Sequence, residues 1–116
     1  MDMFSISNQK TAIIKADVIG IDEAQFFGDL YEFVLAIEQF GKTIIISGLD
    51  GDSDRKPFGQ ILQCIPLCDR VVKLTAMDMV DKDGTPAIFT KRIVKKEGQV
   101  LVGATESYMA VSRKNY

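Results

Sequence analysis

Apolar positions fall into two textures along the chain. Up to about residue 75 short apolar runs alternate with a helical pattern, and beyond it short apolar stretches are separated by turn formers. After the β-branched block Ile13-Ile14, the run Val18-Ile19-Gly20-Ile21 ends abruptly at Asp22-Glu23. A continuous run of that length predicts a strand covered on both faces, as in a parallel sheet. Asp29-Leu30-Tyr31-Glu32 offers a capping box in which the Asp29 carboxylate accepts the Glu32 N–H. Leu30, Phe33, Val34, Ile37 and Phe40 then share one helical face, and Gly41 is placed to end the helix. Thr43-Ile44-Ile45-Ile46 predicts the next strand, which completes the right-handed βαβ unit of an open α/β sheet. Val71-Val72-Lys73-Leu74 predicts one more.

The later texture differs. Asp81-Lys82-Asp83-Gly84-Thr85-Pro86 is a turn cluster between Met79 and Ile88-Phe89. Lys95-Lys96-Glu97-Gly98 is a second, between Ile93-Val94 and Val100-Leu101-Val102. The fold class expected is α/β: a parallel-sheet core over 1–76, then a small β subdomain over 77–116 that ends its last strand near Val111.

Composition narrows the function. The 116 residues carry 14 basic and 16 acidic side chains, a net charge of −2, and are 47% apolar. That suits one globular body and lacks the basic footprint of a nonspecific nucleic-acid or polybasic membrane binder. No run approaches the roughly 18 apolar residues of a membrane span, and Asp2 stands where a signal peptide wants a base. The expectation is an intracellular chain without nucleic-acid or membrane partners. Cys64 and Cys68 then read as reduced core thiols. With no histidine, Ser-His, Cys-His and His-metal chemistry are excluded.

The sharpest chemical feature is Asp22-Glu23 at the carboxyl end of a strand, where open α/β sheets bind ligands and an acid can hold Mg²⁺. The plainer reading is that Asp22 caps the next turn. Gly41-Lys42-Thr43 imitates a phosphate-binding loop, but the first glycine of G-x-x-x-x-G-K-[ST] would fall on Ala36, inside the helix, and the order helix-to-strand is reversed. Asp50 to Gly59 mixes turn formers with charge and reads as a solvated loop or a lid. Gly98 to Tyr108 reads as a hairpin, or as a loop able to wrap a flat ligand through its backbone.

Taken together, these stretches resemble the cytosolic, tetrameric type of thymidine kinase. The matching words are Val18 to Phe27 (V-I-G-I-D-E-A-Q-F-F), Gly41-Lys42-Thr43, Leu49-Asp50-Gly51 with Arg55-Lys56-Pro57-Phe58-Gly59, Val72 to Ala76, Thr90-Lys91-Arg92, and Gly103-Ala104 with Tyr108. They occur in family order over nearly all of residues 16 to 116. The resemblance implies a P-loop-type parallel sheet followed by a small zinc-bearing β subdomain with a lasso loop. It implies transfer of the ATP γ-phosphoryl to the 5′-hydroxyl of thymidine, in nucleotide salvage for DNA synthesis, by a cytoplasmic homotetramer. Glu23 matches the general base, Asp22 the Mg²⁺ acid, and Asp22, Glu23, Ala24 and Gln25 the ATP-binding motif. Phe26, Leu49, Ser53, Phe58 and Thr90 match positions around the nucleoside. Gln99, Val100, Leu101, Val102 and Gly103 match the lasso backbone, and Tyr108 the aromatic that closes the pocket. Thymidine and its phosphorylated forms are the implied ligands.

Three departures accompany the match. The phosphate cradle ahead of the Asp22 strand has no counterpart, since Met1 to Lys15 are too few for strand, loop and helix. Ser53 stands where the family usually has an aromatic. The four zinc positions are occupied by Asp78, Asp81, Ser112 and Asn115, a set that should not hold zinc, and no zinc is expected. Two readings follow: a thymidine kinase whose phosphate half is supplied elsewhere, the isolated chain being inactive, or a noncatalytic nucleoside-binding or assembly subunit of the same fold.

Overall fold

A computed structural model describes residues 5–6, 10–93 and 107–116 of the chain. They form two compact units, Met1–Asp50 with Pro57–Val71, and Gly51–Lys56 with Val72–Tyr116.

In the first unit, helix α1 (Lys10–Lys15) precedes strand β1 (Val18–Ile21), helix α2 (Leu30–Ile37) and strand β2 (Thr43–Ile46). The strands pair in parallel, Val18 with Thr43 through Ile21 with Ile46, so the expected βαβ unit is present. The β-branched block Ile13-Ile14 lies in α1. Ile19 and Ile21 are buried with Leu30, Val34, Ile37 and Cys64, while Val18 and Ile45 stay 59% and 60% exposed. The expectation of burial on both strand faces is thus corrected. Side chains alternate across a strand, and the packed layer covers only the Ile19/Ile21 side.

Helix α2 starts without the expected capping box. The Asp29 carboxylate instead receives the Ile6 N–H at 2.9 Å and the Ser5 hydroxyl at 3.1 Å. Gln60 takes the capping task, its Oε1 accepting the Tyr31 N–H at 2.9 Å while its Nε2 donates to the Gly28 carbonyl at 2.7 Å. Phe40, expected on the buried face, sits in a 3₁₀ turn after α2 and is 70% exposed. Gly41 ends that turn at φ 66°, as expected. A 3₁₀ segment over Leu62–Leu67 buries Cys64, whereas Cys68, expected in the core, is exposed. Burial pushes the Cys64 thiol above its ordinary pKa, with the neighbouring Cys68 adding to the effect. The expected strand at Val71–Leu74 is absent: it is irregular and exposed, with no partner strand among the described residues.

In the second unit, β3 (Ala76–Met77) and β4 (Pro86–Ala87) form an antiparallel pair around the expected Asp81–Pro86 turn. Asp83 stabilises that turn by accepting both the N–H and the hydroxyl of Thr85, which draws its pKa down. Strand β5 (Phe89–Ile93) pairs antiparallel with β6 (Ser107–Val111). The expected turn at Lys95–Gly98, the strand at Val100–Val102 and the lasso positions Gln99 to Gly103 lie outside the described residues.

Candidate functional site

The acidic pair is fixed where β1 runs out. The Ser47 N–H donates to the Ile21 carbonyl at 2.9 Å and the Ala24 N–H to the Ser47 carbonyl at 3.0 Å, so backbone pairing continues past both strands. Asp22 Oδ1 accepts the Glu23 N–H and the Ser47 hydroxyl, each at 2.9 Å. One oxygen therefore does the capping that the plainer reading proposed. Asp22 is exposed, and its Oδ2 carries no hydrogen bond among the described residues.

Glu23 is exposed and takes left-handed backbone angles, φ 51° and ψ 43°. For a residue with a Cβ that conformation costs about 1–3 kcal/mol and persists only where its surroundings impose it. Gln25 is part of what imposes it. Its Nε2 donates to Glu23 Oε2 at 2.7 Å and its Oε1 accepts the Leu49 N–H at 3.0 Å. Gln25 is 1% exposed and fits a slot between two glycines. A Cβ on Gly48 would lie 2.4 Å from Gln25 Oε1, and one on Gly59, at φ 65°, would lie 2.2 Å from the Gln25 carbonyl oxygen. Ala24 is wholly buried. Of the four residues in the acidic motif, the first two face solvent and the last two are packed inside.

The expected nucleoside residues divide between the units. In the first, the Phe26 and Phe58 rings meet edge to face, centroids 5.4 Å apart, and Leu49 is 47% exposed. In the second, Thr90 opposes Ala110 and Tyr108 opposes Arg92 across the β5–β6 pair, with Tyr108 55% exposed. Ser53 lies in a folded turn in which Asp52 Oδ1 accepts the N–H groups of Asp54 and Lys56. The Ser53 carbonyl accepts the Tyr116 hydroxyl at 2.5 Å. Sequence reasoning missed what holds this turn: the Arg55 guanidinium lies 4.3 Å from the Tyr116 ring centre, and Arg113 stacks on Phe89 at 4.9 Å. No local spacing could have joined residues so far apart.

Lys42 is spent on structure, its ammonium donating to the backbone carbonyls of Ile14, at 3.1 Å, and Ala16. This accords with reading Gly41-Lys42-Thr43 as an imitation of a phosphate loop. Among the described residues no three carboxylates or thiols converge into a metal cage. A lone Asp22 oxygen is still an adequate protein ligand for Mg²⁺, which usually takes one or two carboxylates and completes its shell with phosphates and water. No described helix is long and apolar enough to cross a membrane.

A parallel strand pair joined through a helix, together with two antiparallel strand pairs, defines a mixed α/β protein. Comparison with known proteins narrows the class. The family model described as thymidine kinase matches residues 1–116, and the chain belongs to the thymidine kinase family. It is similar to thymidine kinase a of Arabidopsis thaliana, 50% identical over 103 residues, 88% of this chain and 42% of that protein. Cytosolic thymidine kinase of Homo sapiens is 46% identical over 99 residues, 85% of this chain and 42% of that protein. Thymidine kinase of Vaccinia virus (strain Ankara) is 44% identical over 105 residues, 90% of this chain and 58% of that protein. The chain thus spans about half the length of these relatives.

Proposed function

We propose that this chain is the acceptor half of a thymidine kinase, carrying the groups that hold thymidine and activate its 5′-hydroxyl. The observation that supports it most is the Glu23 carboxylate held by Gln25 beside Asp22 at the end of β1. In the reaction, Glu23 accepts the proton of the 5′-hydroxyl as that oxygen bonds to the γ-phosphorus, while the bond from phosphorus to the oxygen of departing ADP breaks. Asp22 would hold Mg²⁺, which when bound neutralises phosphate charge. Phe26, Leu49 and Phe58 supply apolar surface for the nucleoside. Ser53, Thr90, the backbone of Gln99 to Gly103 and Tyr108 complete its recognition by resemblance. Ser53 gives less stacking area than an aromatic there.

The phosphate cradle would come from further polypeptide. The uncovered Val18 and Ile45 side chains fit a sheet that accepts another layer. Assembly as a cytoplasmic homo-oligomer belongs to the same reading, and sedimentation velocity tests the assembly. The 116-residue chain alone should turn over negligibly, because phosphate positioning supplies most of the catalysis in this class.

A second reading, a noncatalytic nucleoside-binding or assembly subunit, is favoured by one observation: the lysine of the only Gly-Lys-Thr is tied to backbone carbonyls. Calorimetry of the full chain with thymidine and thymidine triphosphate tests the shared pocket. Heat with either ligand supports it, and none with both rejects it. Adding a separately produced P-loop segment of a relative, with ATP and Mg²⁺, separates the two readings: phosphorylation of thymidine that Glu23→Gln abolishes favours the kinase.

A further inference from the structure

The resemblance puts Asp78, Asp81, Ser112 and Asn115 at the four positions of a zinc knuckle. These residues do come together, but by hydrogen-bonding to one another around the Asp78 carboxylate. Asp78 is fully buried, and N–H groups converge on its carboxylate. Oδ1 receives the Ser112 N–H at 2.7 Å. Oδ2 receives the N–H groups of Asp81 at 2.7 Å and Val80 at 3.1 Å, and the Asn115 side-chain amide at 3.0 Å. The same Asn115 amide donates to Asp81 Oδ2 at 2.9 Å. With three backbone amides and the Asn115 amide already bonded to the two Asp78 oxygens, the lone pairs a metal ion would need are largely taken up. The set also lacks the thiolate or imidazole that structural zinc requires. These residues do not fit zinc.

Something must nonetheless hold this unit together. Its described core contains only Ala87 and Val111 as buried apolar residues, and two of its strands are two residues long. Bodies this small commonly depend on a disulfide or a metal. Asp78 directly follows β3 and Ser112 directly follows β6, so the carboxylate ties the ends of two strands 34 residues apart. The Met79 N–H donates to the Ala110 carbonyl at 3.0 Å alongside it. Ser112 in turn accepts the Asn115 and Tyr116 N–H groups on its carbonyl, closing the C-terminal turn.

We propose that the buried Asp78 carboxylate is a metal-free clasp, joining the β3–β4 turn to the C-terminal turn by N–H donors and taking over the structural task of a zinc ion at the same place. The clasp is independent of whether the chain phosphorylates thymidine. Its buried charge is satisfied by four donors, which is the condition under which a buried carboxylate rigidifies a structure. Asp81 adds an exposed ion pair with Lys114 at 3.7 Å, of little weight.

The test uses the full chain, with metal content measured by mass spectrometry, thermal melting with and without EDTA or added zinc chloride, and amide hydrogen exchange. Expected are no stoichiometric zinc and a melting temperature indifferent to chelator and metal. Asp78→Asn, which sets an NH₂ group against N–H donors, should lower protection of the Ser112 and Asp81 amides at least about tenfold while the β1 and β2 amides keep theirs. Stoichiometric zinc whose removal by EDTA lowers the melting temperature would overturn the proposal, as would unchanged Ser112 protection in Asp78→Asn. If that variant does not fold, Asn115→Ala, which removes one donor, is read by the same amides with the same two outcomes.

Discussion

The side-chain amide of Gln25 bridges two groups of different kinds: its nitrogen donates to the Glu23 carboxylate at 2.7 Å and its oxygen accepts the Leu49 N–H at 3.0 Å. Both ends are satisfied in a position that is 1% exposed. Gln25→Ala should therefore cost about 2–3 kcal/mol in urea denaturation, because it strands the Leu49 N–H and empties a filled slot. Gln25→Glu is the sharper probe. It sets a second carboxylate against Glu23, so the pair shares a proton and one apparent pKa rises above the ordinary range. Protonation is then favoured in the folded state, and the variant loses stability as the pH rises through that raised value. Carboxyl ¹³C titration by NMR should show a step more than about one unit above the usual Glu value of about 4.3. Two ordinary titrations would mean that the amide does not face Glu23.

The glycines around Gln25 should rank by what a Cβ meets. Gly59→Ala puts a methyl 2.2 Å from the Gln25 carbonyl oxygen at a φ of 65°, and backbone cannot step aside. Gly48→Ala meets the Gln25 side-chain oxygen at 2.4 Å and an Ile61 methyl at 2.6 Å, both of which can shift, the first only by loosening its hold on Leu49, with the Ala24 backbone nitrogen next at 3.0 Å. Gly20→Ala meets nothing within 4 Å. Equilibrium unfolding should give losses of about 3 kcal/mol or more, about 1–3 kcal/mol, and within about 0.5 kcal/mol, in that order.

Local rules carried the sequence reading some way. The β1–α2–β2 unit, the Gly41 stop and the turn between β3 and β4 were legible because each rests on a period or on a residue with special backbone freedom. Where a distant partner decided the matter, local rules failed. Asp29 has every attribute of a helix cap, yet Ile6 and Ser5 claim its carboxylate and Gln60 supplies the cap from 29 residues beyond Tyr31. Val71 to Leu74 has the composition of a strand but no neighbour to pair with among the described residues. In the site, the acidic pair was legible as a strand-end motif. The burial of Gln25 was not, because it depends on Gly48 and Gly59 closing around it from two other segments.

The two thiols should separate in reactivity. Cys68 is exposed, with its Sγ 3.0 Å from the Ile65 carbonyl, whereas Cys64 is buried and its pKa is raised by burial and then by Cys68. Alkylation needs both access and thiolate. Iodoacetamide at pH 7.5 should modify Cys68 at least about tenfold faster, and Cys64 only on unfolding in urea. Equal rates, followed by peptide mass spectrometry, would place Cys64 outside the core.

Acid should open the second unit in a defined window. The Asp78 carboxylate is held down from 3.8 to about 2, first by the Ser112 N–H and then, against the opposing effect of burial, by the Asp81 N–H and the Asn115 amide. A carboxylate depressed in the folded state gives stability that is fully present above its unfolded pKa and is lost as the pH falls through the folded one. The loss should therefore begin near pH 4 and be complete near pH 2. Asp83, drawn down by Thr85, acts in the same direction at the neighbouring turn. Exchange protection of the Ser112 amide, corrected for intrinsic rates, should fall across that window. In Asp78→Asn, already weakened at neutral pH and with no proton to gain at that position, protection should fall much less from pH 5 to pH 2, by the Asp83 contribution that both proteins share. The gap between the two proteins should close toward the acid end. A gap that stays constant would mean that the carboxylate is not what the N–H donors of this turn are holding.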